Sequence, residues 1–199
     1  PAAHAAMTRE IVADHTLVYT WKGSDPSLAP VVLMAHQDVV PVTPGTEGDW
    51  KHPPFGGVIA EGAVWGRGSI DDKGSLVTLF EGAEALAKTG FKPRRTLIIV
   101  SGHDEEAGGT GAQAVADLFK SRGIKAQFVL DEGMAVITDN PLTSGQVALI
   151  GIAEKGYATL KVTAEATGGH SSAPPADSGG VVTLAKAVTA IAADQAPLK

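Results

Sequence analysis

Three short apolar runs constrain this chain more than any other feature: Val31-Val32-Leu33-Met34-Ala35, Thr96-Leu97-Ile98-Ile99-Val100 and Gln127-Phe128-Val129-Leu130. Apolar residues fill consecutive positions and polar segments bound them, which is the pattern of strands buried on both faces. Helical spacing separates them. Leu76, Leu79, Phe80, Ala83 and Leu86 recur at the period of a helix, with Gly90 where a C-cap belongs, and Ala112, Val115, Leu118 and Phe119 repeat the pattern before Gly123. Strands alternating with helices predict an α/β layered domain with a largely parallel sheet.

Each run breaks off into residues that can hold a metal. The first leads into His36-Gln37-Asp38, the second into His103-Asp104-Glu105-Glu106 and the third into Asp131-Glu132. In α/β sheets ligands bind beyond the carboxyl ends of the strands. One acidic residue at a strand end is most often a solvated loop charge. Three convergent cases, joined by Asp71 in Gly66-Arg67-Gly68-Ser69-Ile70-Asp71-Asp72-Lys73-Gly74, favour a common site, although Asp71 could equally cap a helix N-terminus. A metal-bound imidazole usually donates its other N–H to a carboxylate, and Asp38 lies on the same side of an extended segment as His36. With Glu105 and Glu106 adjacent, one carboxylate can bind metal while the other handles protons. The chain has no cysteine, so a metal would be held by His, Asp and Glu, which suits zinc, manganese or cobalt.

Residues 40–68 are rich in Pro and Gly and carry Trp50, Phe55 and Trp65. They read as a long excursion with a hairpin near Gly56-Gly57, whose aromatics either edge a cleft or, the more common arrangement, pack the loop onto the core. Beyond about residue 155 the pattern changes. Tyr157 to Glu165 alternates polar and apolar residues like a strand with one solvated face, a loop with His170 and Pro174-Pro175 follows, and Val181, Leu184, Ala185, Val188 and Ile191 mark an amphipathic helix. One strand and one helix cannot bury a core, so residues 1–154 form one domain and 155–199 the start of another. Length 199 and a hydrophobic share of 44% are enough for one core plus an appendage. Lys+Arg 16 against Asp+Glu 22, a net charge of -6, give no reason to expect a nucleic-acid partner. No apolar stretch is long enough to span a bilayer.

Taken together, these motifs resemble the zinc aminoacylase/carboxypeptidase family, which includes glutamate carboxypeptidase, succinyl-diaminopimelate desuccinylase and aminoacylase. The similarity is carried by Met34 to Pro41, Gly66 to Gly74, Gly102 to Gly109, Asp131-Glu132-Gly133 and Gly168-Gly169-His170-Ser171-Ser172, in the family's order and spacing. Leu17 to Ser24, Pro53-Pro54-Phe55 and Trp65 to Gly68 make it most similar to the Gly-Xaa carboxypeptidase branch, which also holds hydrolases of N-fatty-acyl amino acids.

The resemblance implies a three-layer αβα catalytic domain, present in its N-terminal portion, plus the start of an α+β lid and dimerisation domain. It implies two zinc ions. His36 and Asp131 would bind one, Glu106 the other, and Asp71 would bridge both. Glu105 would be the general base and Asp38 the support of His36, and the Asp71–Asp72 bond would be cis. A lone loop histidine is more often solvated than functional. The family's pattern nevertheless gives His170 a role, reaching across a homodimer to stabilise the oxyanion. A further metal-binding His and a carboxylate-binding Arg would lie beyond Lys199, so this chain would hold an incomplete site. The substrate would be a small peptide or N-acyl amino acid. A metal-binding or dimerisation module without catalysis, and a mononuclear site of His36, Asp71 and Asp131, stay open as alternatives.

Overall fold

A computed structural model describes residues 1–133, 136–139, 145–153, 156, 158–170, 172–173 and 179–194. Tyr157, Ser171, Pro174 and Pro175, which entered the sequence reading, lie outside the described residues. The chain divides into two compact units, Pro1–Ile150 and Gly151–Lys199.

The first unit is built on a five-stranded sheet. Its strands are β1 (Thr8–Val12), β2 (Thr16–Trp21), β3 (Val31–His36), β6 (Leu97–Gly102) and β7 (Phe128–Leu130), in the order β1-β2-β6-β3-β7. The three apolar runs are indeed strands, and they pair in parallel: β3 with β6 from Val31↔Leu97 to His36↔Gly102, and β3 with β7 from Val31↔Phe128 to Leu33↔Leu130. The other two pairings, β1 with β2 and β2 with β6, are antiparallel. The sheet is therefore mixed rather than largely parallel. Polar Thr16 and Thr20 break up the apolar pattern of β2, which hid this hairpin in the sequence.

Consecutive apolar residues are needed because both faces of the sheet are covered. Ile99 packs with Tyr19, Trp21, Ala3 and Ala83 on one face, under α1 (Ala2–Ala6) and α2 (Lys73–Lys88). Ile98 and Val100 pack with Val18, Val32 and Val115 on the other, under α3 (Thr110–Ser121). Helices on both faces make three layers. The edge strand β7 departs from the expected burial: Phe128, Val129 and Leu130 are all exposed. Among the described residues its one partner in the sheet is β3, and the described helices pack instead over the central strands.

The excursion does contain a hairpin, β4 (Val58–Ala60) and β5 (Ala63–Trp65), but it turns at Glu61-Gly62 instead of Gly56-Gly57. Glu61 and Gly62 both have positive φ (53° and 76°), the backbone that a tight hairpin turn requires. Gly68 is another position where glycine is needed. Its φ is 82°, and a Cβ there would stand 2.7 Å from Val39 Cγ1. A two-stranded pairing of β8 (Val136–Ile137) with β9 (Val147–Ala148) completes this unit. In the second unit, α4 (Gly180–Ala193) forms where the apolar periodicity predicted it. The alternating segment before it is not a strand among the described residues. Alternation prepares a face, but a strand needs a neighbour to bond its backbone.

Ile99 is almost fully buried at the centre of the sheet. Replacing it with alanine should cost about 2–5 kcal/mol, read as a lowered urea midpoint with an unchanged m-value.

Candidate metal centre

The ends of β3 and β6 meet at His36. The histidine is buried, 3% exposed, and its ring is held from two directions. Nδ1 lies 3.2 Å from Asp38 Oδ1, and also 3.2 Å from the Asp38 carbonyl oxygen. The same Asp38 carboxylate accepts the backbone N–H of Glu105 (3.2 Å) and of Glu106 (3.0 Å). One side chain thus orients the imidazole and fixes the turn after β6. Beneath them Asp72, fully buried, accepts the N–H of His36 through Oδ2 at 3.1 Å. The Asp71–Asp72 peptide bond is cis.

The free nitrogen of His36 faces acids only. Nε2 lies 2.8 Å from Asp71 Oδ1, 3.5 Å from Glu132 Oε1 and 3.9 Å from Glu105 Oε2. Two groups could each gather around one cation: His36, Asp71 and Glu132, and His36, Glu105 and Glu106. The structure thus brings together His36, Asp38, Asp71, Glu105 and Glu106 of the residues singled out in the sequence. Asp131 belongs to neither group, and its Oδ1 instead accepts the N–H of Glu132 at 3.0 Å. Glu132 had no role of its own in the sequence reading, and neither did Asp72. His170 lies in the second unit, its Nδ1 2.7 Å from Ser172 Oγ.

The acidic run after β6 divides its labour. Asp104 accepts the N–H of Thr110 (2.8 Å) and of Gly111 (2.9 Å) in the first turn of α3, and also the Thr110 hydroxyl. These hydrogen bonds, that of the Thr110 hydroxyl foremost, hold its pKa below the usual range. Among the described residues Glu105 and Glu106 have no Lys or Arg partner, and Glu105 faces only His36, at 3.9 Å. Burial raises the pKa of Glu105, and the charges of Glu106, Asp38 and Asp71 add to this against the opposing pull of His36. Glu132 is pushed up to about 7, first by burial and then by Asp71, Asp72 and Glu105. Burial alone would lower the pKa of His36, but the hydrogen bond to Asp71 and the charges of Glu132, Asp38 and Glu105 outweigh it and raise the net value. Among the described residues no Lys or Arg pairs with these carboxylates. A buried imidazole ringed by uncompensated acids, all hard oxygen or nitrogen donors, fits a divalent cation.

Layered αβα architecture with His and carboxylate donors at the strand ends is the arrangement of a metallopeptidase. The model of the peptidase family M20/M25/M40 matches residues 32–198, and the chain belongs to that family. Divalent-metal use comes with that membership. The human N-fatty-acyl-amino acid synthase/hydrolase PM20D1 is 42% identical over 190 residues, which are 95% of this chain and 37% of the relative. Carboxypeptidase S of Saccharomyces cerevisiae is 45% identical over 183 residues, 88% of this chain and 31% of the relative. The chain thus spans about a third of the length of these relatives. Among solved structures, an M20 family metallo-carboxypeptidase of Sulfolobus solfataricus superposes with a TM-score of 0.53 at 23% identity, over 65% of this chain and 29% of the other, a likeness of fold.

The raised pKa of Glu132 predicts how metal-free stability varies with pH. A glutamate titrates at 4.5 when unperturbed and at about 7 here, so the folded chain holds the extra proton between those values. Stability should therefore fall as pH rises through that window. The raised pKa values of Glu105 and His36 act in the same direction. Urea titrations in chelator should show this decline, and Glu132→Gln should flatten it. A rising wild-type profile would contradict the assignment.

Proposed function

We propose that the protein containing this chain is a two-zinc hydrolase that cleaves the amide bond of a peptide or N-acyl amino acid next to its C-terminal amino acid. Cobalt or manganese would suit the same donors. The observation that carries this reading is the cluster at His36: four carboxylates, Asp38, Asp71, Glu105 and Glu132, lie within 4 Å of one imidazole, with no basic side chain paired to them among the described residues. In this reading His36, Asp71 and Glu106 are metal ligands. The β7 end supplies a further carboxylate, Asp131 by motif or Glu132 by position. Residues 1–154 belong to the catalytic domain and 155–199 begin a lid through which two copies pair.

Bound metal would polarise the scissile carbonyl and lower the pKa of water. The chain's own residues handle orientation and protons. Asp38 fixes the ring of His36 and, through the N–H groups of Glu105 and Glu106, the position of both glutamates. Glu105 takes the proton of the attacking water on a carboxylate oxygen and passes it to the leaving nitrogen, and its raised pKa suits a group that must both accept and return a proton. His170 is assigned the oxyanion, donating from the lid of a partner copy.

In the protein of native length, Glu105→Gln should lower turnover by about 10²–10⁴-fold and leave metal content unchanged. Elemental analysis alongside the assay separates the two effects. Near-normal turnover would remove Glu105 as the base, and a firm stoichiometry of one metal per chain would remove the two-metal reading.

A further inference from the structure

Arg67 carries a donor that the fold does not satisfy. Its Nε is buried and has no hydrogen-bond partner among the described residues. A buried donor left unpaired is costly, and such a group in a folded protein calls for a reason. The rest of the side chain is held in place. Its Cζ lies 4.9 Å from the centroid of the Trp50 ring, and Nη2 donates to the Pro41 carbonyl at 3.4 Å. Stacking on an aromatic face fixes the plane of a guanidinium and leaves its edge for a carboxylate.

Arg67 also stands where two hollows join. One is a cleft of about 210 Å³ that contains Asp71 and Glu106, the other a cavity of about 570 Å³ walled by Val39, Phe55, Trp65 and Val77, and Arg67 lines both. The cavity has a second cation in its lining, Lys73, the first residue of α2. Lys73 forms no hydrogen bond or ion pair among the described residues, and its Nζ lies 3.2 Å from where a Cβ on Gly68 would stand. Glycine at 68 thus leaves room for the ammonium as well. Among the described residues no carboxylate lines this cavity. Hydrocarbon walls alone would suit any apolar group. Two uncompensated cations, one of them with a buried unpaired donor, select an anion carried on a hydrocarbon stem.

We propose that Arg67 and Lys73 form an anion subsite beside the metal centre: it takes a second carboxylate of the substrate, borne on a short hydrocarbon stem, while the scissile amide lies at the Asp71–Glu106 cleft. The proposal rests on the hydrolase reading above and narrows it to substrates with a carboxylate besides that of the C-terminal amino acid. Either the acyl group or the side chain of that amino acid can carry it.

Two measurements on the protein of native length test it. In the first, metal-loaded enzyme is given two matched pairs: N-glutaryl-leucine with its uncharged glutaryl amide, and N-acetyl-glutamate with N-acetyl-glutamine. Comparison within a pair cancels the C-terminal carboxylate that all four share. In one pair the charged member should have a KM about tenfold or more below its amide, and which pair it is tells which side of the amide carries the anion. Arg67→Gln and Lys73→Gln should each remove most of that difference. Lys120→Gln, on α3 outside the cavity, should leave it unchanged. In the second, glutarate binding to metal-free protein is followed by calorimetry against glutaramide, which needs no turnover. In a protein that fails to hydrolyse amides, this binding decides alone: weakening by both substitutions supports the subsite and indifference to them overturns it. Turnover without a charge preference in either pair, or with one indifferent to both substitutions, overturns the subsite and leaves the hydrolase reading intact.

Discussion

The parallel pairing of β3 with β6 brings His36 level with Gly102, and everything in the site follows from that register. Both strands end at the same height, so the segments that leave them meet. Asp38 then spans the junction, one oxygen toward the imidazole and both toward the backbone of the next strand's turn. The core sets this register: Ile98 and Ile99 face opposite layers, and a slip by one residue would exchange the faces of the whole strand. Position at the strand ends is thus fixed by packing several residues back along each strand.

Below this junction the protein accepts an arrangement that opposes its own stability. Asp71, Glu105 and Glu132 crowd one imidazole, and the two glutamates hold their protons more tightly for it. Groups perturbed by burial and like charge gather at sites with a task. A cation is the simplest means of relieving such a cluster, and it couples ligand binding to folding. Asp104 shows the opposite use of a carboxylate: the same run of acids supplies an anchor for α3, satisfied by N–H groups of its first turn.

Much of this was legible in the sequence because it depends on short-range pattern. Consecutive apolar residues marked the three central strands, and the acids after them marked the site. Long-range pairing was harder to see. The β1–β2 hairpin carries polar residues on strands whose burial comes from Tyr19 and Trp21 under α1 and α2, so its sequence lacks an unbroken apolar run. The β7 end shows a second limit. Since Leu33 pairs with Leu130, a continued ladder would put Asp131 on the face of Met34 and His36. The ladder stops at Leu130, and it is Glu132 that reaches the imidazole. Alternation predicts side-chain direction only as far as the backbone bonds persist. For Phe55 and Trp65 the sequence left two readings, a cleft edge or a loop anchor; both line a cavity, Phe55 largely exposed on the loop before the hairpin and Trp65 at the end of β5.

Among the described residues no basic side chain pairs with the acids around His36, and this bears on what the site attracts. A buried ring reached through a gap between acids attracts cations and repels anything that carries a carboxylate. Under the proposed function, a substrate ending in a free amino-acid carboxylate would meet a negative field until a cation offset the charge of the site. On that proposal, the ring of acids would favour an order of assembly in which the cation enters before the anion it helps to hold.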